Sequence, residues 1–277
     1  MKIFDIHSHN GFSRCVKSPW NIKDGLLKAK RLHSENPQII GFGVTNHVHF
    51  NSPNQKFLFD LRKQIDNIME KESEILILLG VELDIDGIEG EFTLDKSTLD
   101  ILDYIIAGPH NQIHQSLAWN LSIDELEEYF HTLESCILKG LEKNPIDVWV
   151  HPFLQEIGSY GDLFWNFLEP IFNNALKILD KKRIAIEING SWYKDDRIPL
   201  IENWNKYWSS IREFNEEVYK RLEYIYKEAA SYNNIKFAFG SDAHSLNDLL
   251  SLSKSVKEFE KLKLSENRLF NPDIYKK

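Results

Sequence analysis

His7-Ser8-His9 and Asp242-Ala243-His244 are the short motifs in this 277-residue chain best suited to chemistry. Each places two metal-ligating side chains two positions apart at the end of an apolar run, and on a strand residues i and i+2 project to one face. The first pair offers two imidazoles; the second joins a hard carboxylate oxygen to an imidazole. Further apolar runs end at His47, Glu82, His110 and His151, so six of the ten histidines stand at such ends. A site rich in imidazole with few carboxylates suits zinc, manganese or iron rather than calcium or magnesium. One cation takes about four ligands. Eight candidates therefore imply at least two divalent cations, with Glu82 as the natural bridge. Closely spaced cations generate hydroxide at neutral pH and clamp the attacking and leaving oxygens of an in-line displacement, so hydrolysis is the implied reaction class.

The elements that must position these residues are short, apolar and often β-branched. Seven such runs span Ile3 to Ile6, Ile39 to Val44, Ile75 to Val81, Tyr104 to Ala107, Val148 to Val150, Ile184 to Ile188 and Phe237 to Phe239. Helical periodicity fills Gly25 to Ser34, Lys56 to Glu72, Ile123 to Lys139, Leu163 to Leu179, Asn215 to Ser231 and Asn247 to Leu262. Alternating strands and helices mean βαβ units and a parallel sheet, and one domain of this length suggests closure into a TIM-like barrel. Chemistry in such barrels sits at the C-terminal strand ends, where residues 7 to 244 would converge, and first and last strands would be neighbours. Gly41-Phe42-Gly43 lacks the third glycine of a dinucleotide fingerprint and reads as close packing within a strand. An aromatic-rich stretch at about 191–210, with Trp192, Tyr193, Trp204, Tyr207 and Trp208, reads as a loop or lid over the pocket, or as aromatics packing that loop onto the barrel.

Composition narrows the partners. The net charge of −9 disfavours a non-specific grip on duplex nucleic acid, while bound cations could reverse the potential locally for a small anionic substrate. No run approaches the ~18 apolar residues of a membrane span, and charge interrupts the first residues before a signal core could form. A cytoplasmic protein is expected, with Cys15 and Cys136 as free thiols. No linker or repeat divides the chain, so residues 1–277 read as a single domain.

In order, Asp5-Ile6-His7-Ser8-His9, Val44-Thr45-Asn46-His47, Gly80-Val81-Glu82, Ile105-Ile106-Ala107 leading to His110, Trp149-Val150-His151-Pro152 and Gly240-Ser241-Asp242-Ala243-His244 resemble the motifs of the PHP (polymerase and histidinol phosphatase) family. The resemblance implies a distorted (β/α)7 barrel with two or three ions, zinc, manganese or iron, that hydrolyse phosphate esters. It assigns His7, His9, Glu82 and Asp242 to a first ion, Glu82, His110 and His151 to a second, and His47 and His244 to a third. The run from Ile184 to Asn189 before a long loop looks most like the stand-alone histidinol-phosphatase branch. Two departures stand out. Thr45-Asn46-His47 has Asn where the family has Asp, and Gly11-Phe12-Ser13-Arg14-Cys15 lacks a histidine that histidinol phosphatases carry there. Cys15 would replace that ligand as a thiolate, or is a small apolar loop residue.

The expectation is a metal-dependent phosphomonoesterase on a small phosphorylated metabolite, with Glu82, Asp242 and His244 catalytic. Arg197, with Lys194 and Arg14 behind it, is the candidate for the outward phosphoryl oxygens. The alternatives are a phosphodiesterase or exonuclease on short oligonucleotides, a phosphotyrosine phosphatase, or a non-catalytic metal-binding regulatory module.

Overall fold

Each of the seven apolar runs forms a strand, and all pair in parallel. The computed structural model describes residues 1–13, 16, 18–48, 55–85, 89–90, 94–109, 123–193, 198–199 and 204–271. The strands are β1 (Ile3–Asp5), β2 (Ile39–Val44), β3 (His47–Val48), β4 (Leu76–Asp84), β5 (Tyr104–Gly108), β6 (Val148–Trp149), β7 (Ala185–Asn189) and β8 (Phe237–Gly240). Their order is β2-β1-β8-β7-β6-β5-β4-β3, and a further β2–β4 pairing closes the ring. The two-residue β3 continues along β4, with His47 opposite Glu82. The result is a closed seven-strand α/β barrel in which first and last strands are neighbours, as expected.

Alternation sorts each strand between two cores. On β4, Ile77, Leu79, Val81 and Leu83 face outward into the core shared with the helices. Leu76 and Leu78 face inward, joined there by Phe4, Ile6, Tyr104, Ile106, Val148, Val150, Ala185 and Ala238. Continuing in the same parity, β4 passes through Gly80 to Glu82 and Asp84, so one strand face runs from an apolar floor to buried carboxylates. On β2 the inward position at Gly43 admits no side chain: a Cβ there would lie 1.7 Å from the Tyr104 hydroxyl oxygen. That hydroxyl donates to the Ile6 carbonyl at 2.7 Å, across the barrel. Gly43→Ala is therefore expected to cost roughly 2–4 kcal/mol through overpacking and loss of this bond. A urea midpoint that falls at constant slope would record it, and the cost should shrink when Tyr104 is also Phe. An unchanged midpoint would reject the packing role.

The helices Ile22–Glu35, Lys56–Met69, Ile123–Lys143, Trp165–Lys182 and Ile211–Ala230 fall on the expected periodic segments. The last expected helix, Asn247 to Leu262, is shorter: it begins at Ser253. Leu250 takes a left-handed backbone (φ 63°) and its N–H donates to the buried Asp5 carboxylate at 2.9 Å, so tertiary structure overrides the helical pattern. In the aromatic stretch, Trp192, Tyr193 and Trp208 are buried in the outer core, while Tyr207 is exposed. Residues 194–197 and 200–203 of that stretch lie outside the described residues. Among the described residues, no helix is long and apolar enough to cross a membrane.

Candidate metal centre

The barrel's closure brings the first and last motifs face to face. Ser8 pairs with Ala243 in an isolated parallel bridge, so the flanking His7 and His9 stand opposite Asp242 and His244. The His9 N–H donates to the Ala243 carbonyl at 2.8 Å, and Asp5 braces the turn by accepting from the backbone N–H groups of His7, Ser241 and Leu250. Burial raises the Asp5 pKa, against the hydrogen bonds from Ser241, Leu250 and His7. Asp242 adopts a left-handed backbone (φ 51°), as Asp tolerates better than most residues.

Four donor atoms meet here. His7 Nε2 lies 3.1 Å from His9 Nε2, 3.2 Å from Glu82 Oε2 and 3.5 Å from Asp242 Oδ1. His9 Nε2 lies 3.2 Å from Glu82 Oε2 and 3.4 Å from Asp242 Oδ1. Ligands at about 2.0–2.1 Å around a tetrahedral zinc are separated by roughly 3.3–3.4 Å, so each of these separations is close to that between two ligands of one ion. The donor chemistry and spacing both fit a divalent cation, and His7, His9 and Glu82 form one of two groups able to hold one among the described residues.

Glu82 spreads outward from this shell. Its Oε1 is 2.9 Å from His151 Nε2, and its Oε2 is 3.0 Å from His47 Nδ1. His9, His47 and His244 form the second group able to hold a cation, with the His9 ring 4.5 Å from each of the other two. Of the metal ligands expected from sequence, His7, His9, His47, Glu82, His151, Asp242 and His244 thus gather in one cluster. His110 and Cys15 lie outside the described residues, as do Arg197, Lys194, Arg14, His49 and His114. Two further histidines, His33 and His131, lie on helices.

The electrostatics of the cluster are those of a site with excess negative charge. Burial alone would lower the His7 pKa, but Glu82, Glu187 and Asp242 together raise it well above the ordinary value. His9 is likewise raised, by Asp242 and Glu82 against burial. Burial pushes Asp242 up, but His7, His9 and His151 outweigh it and hold the carboxyl far below the usual range. His244, at the rim, is lowered by burial despite Asp242 beside it.

Sequence reasoning missed several residues that shape the cluster. Glu187 is fully buried with Oε1 2.8 Å from His7 Nδ1. Asp84, also buried, has Oδ1 3.7 Å from His47 Nδ1. Ser13 Oγ lies 3.3 Å from His9 Nδ1, accepts the His47 N–H at 3.1 Å and donates to Asn46 Oδ1 at 2.9 Å. Asn46 also pairs with Asn10 through two bonds, and so ties the loop after β1 to the segment after β2. Strand parity was the available signal for both carboxylates, since each lies on the inward face of its strand.

A seven-strand parallel barrel with a histidine–carboxylate cluster at its C-terminal face defines a TIM-like α/β fold carrying side-chain groups able to hold a metal ion. The chain is similar over that fold to the histidinol phosphate phosphatase of Lactococcus lactis subsp. lactis Il1403, a structure containing zinc, L-histidinol and phosphate. The two share 18% identity over 95% of each chain, with a TM-score of 0.60. The fold expected from the motif resemblance is therefore the fold observed. An archaeal ribonuclease P structure with mature tRNA is 13% identical over 98% of this chain and 90% of its own; at a TM-score of 0.44 it carries no argument. No protein-family model and no curated protein sequence matches the chain.

Proposed function

We propose that the protein is a metal-dependent phosphomonoesterase acting on a small phosphorylated metabolite. The observation that carries this reading is the group of His7, His9 and Glu82, with Asp242 beside both imidazoles and the Glu82 carboxylate also reaching His151 and His47. The likeness in fold to a histidinol phosphate phosphatase supports the reaction class. Two or three divalent ions are assigned: the first to His7, His9, Glu82 and Asp242, the second to Glu82 and His151 with His110, the third to His47 and His244. Zinc is the best fit to the donor set, with manganese and iron as alternatives.

Bound divalent ions supply Lewis-acid stabilisation of the phosphoryl oxygens and hydroxide at neutral pH. The chain's own residues prepare the ground. Glu82 divides its two oxygens between His151 on one side and His7, His9 and His47 on the other, which fixes the ligand spacing. The His244 Nδ1–H donates to the Asp242 carbonyl at 2.9 Å, so Nε2 is the atom the neutral ring offers to an ion or a proton. Arg197 is proposed to grip the outward phosphoryl oxygens.

Hydrolysis of a panel of phosphorylated metabolites, run on protein of measured metal content, tests the reading. Metal-dependent phosphate release from at least one monoester is expected. Metal-loaded protein that hydrolyses none of them would overturn it. On the best substrate, Arg197→Ala should lower kcat/KM on the order of ten- to a hundredfold, from ~1.5–3 kcal/mol for a charged hydrogen bond. Unchanged constants would make Arg197 an ordinary surface cation.

A further inference from the structure

Glu187 stands on the inward face of β7, between Ala185 and Asn189, where alternation aims its side chain into the barrel. It is fully buried, and both of its oxygens are engaged. Oε1 lies 2.8 Å from His7 Nδ1. Oε2 accepts the backbone N–H of His151 at 2.8 Å and the Asn189 side-chain amide at 3.1 Å. The neighbouring strand keeps the place open for this carboxylate. A Cβ on Gly240 would fall 1.8 Å from Glu187 Oε1 and 3.0 Å from His7 Cβ, so only glycine there lets the two groups meet.

Resting on the metal reading above, we propose that Glu187 is a positioning residue that serves ligands of two cation positions at once. A neutral imidazole carries its proton on one nitrogen, and a carboxylate at Nδ1 keeps it there. The Nε2 lone pair of His7 then faces His9, Glu82 and Asp242. Through its other oxygen, Glu187 holds the His151 backbone at φ 29°, in a range uncommon for residues other than glycine, and so aims that imidazole at Glu82 Oε1. Glu187 therefore sets the affinity for ions without touching substrate. Gln at this position has the same shape but only one accepting oxygen, so it cannot satisfy His7 and His151 together.

The test uses zinc itself. Starting from zinc-loaded protein, competition with a chelator should show Glu187→Gln holding zinc about 10–100-fold more weakly than wild type, the usual effect of removing an orienting carboxylate. In zinc-loaded wild type, the imidazole ¹⁵N spectrum should show His7 protonated at Nδ1 and zinc-bound through Nε2, and this measurement decides the question should the variant fail to fold. Equal zinc affinity in the two proteins, or zinc on His7 Nδ1, overturns the proposal while leaving the metal reading intact. Wild type that takes up no zinc overturns the metal reading, and this proposal with it.

Discussion

Alanine at Glu82 is expected to strip the protein of stoichiometric metal and to slow ester hydrolysis by on the order of a thousandfold or more. The carboxylate touches four histidines through two oxygens, so its loss removes a donor from the first and second cation positions assigned here and a neighbour of His47 from the third. Metal stabilisation of a phosphoryl transition state is worth several kcal/mol, and each ~1.4 kcal/mol is a factor of ten in rate. Alanine at His7, His9 or Asp242 should fall nearly as far, and combining these changes should add little, because the ligands act as a unit. Metal content and hydrolysis measured on the same preparations check both points. Full activity in any variant with reduced metal would remove that residue from the assignment.

The second large effect is thermal. A ligand at about a hundredfold excess over its Kd stabilises by about 2.7 kcal/mol, which for a domain of this size raises Tm by roughly 5–10 °C. Its pH dependence follows from the raised His7 and His9. In the metal-free protein their protonated forms are favoured by the surrounding carboxylates, so they contribute stability below the unfolded value of about 6.5. That contribution is lost as pH rises through the raised folded values. Asp242, held low, contributes above its ordinary range and loses its contribution only as pH falls through its depressed value. Metal binding requires neutral imidazoles and displaces these protons, so apparent affinity rises with pH. The gap in Tm between metal-loaded and metal-free protein should therefore widen between pH 6 and 8. A flat or narrowing gap would mean that these histidines are not the ligands.

Much of this architecture was legible in the residues because a closed parallel barrel leaves a distinctive trace. Strands buried on both faces become short, near-continuous apolar runs, and ligands at their ends become punctuation. The reading faltered where polar residues continue a strand. β4 runs on to Asp84, past the point where Glu82 suggested an end, because Glu82 and Asp84 occupy inward positions above the floor. The short β3 was hidden for a related reason: Thr45 and Asn46 interrupt pairing, with Thr45 hydroxyl contacts to the Ser8 backbone and Asn46 bound to Asn10 and Ser13. Glu187 was passed over as one polar residue within an apolar run. Only the partner across the barrel, His7, gives it meaning, and no local pattern encodes a contact 180 residues away.

The apolar floor beneath the cluster makes the barrel a vessel with a stopper. Tyr104 reaches across to Ile6, its ring lies 5.9 Å from that of Phe270, and the Phe270 N–H donates to the Phe237 carbonyl, which ties the C-terminal segment to the foot of β8. Traffic to the cluster then runs through the mouth at the strands' C-terminal ends. For the proposed reaction, substrate entering by that mouth would meet ions already seated and, once bound, would cover them. On that reading a chelator strips resting protein faster than protein kept saturated with substrate.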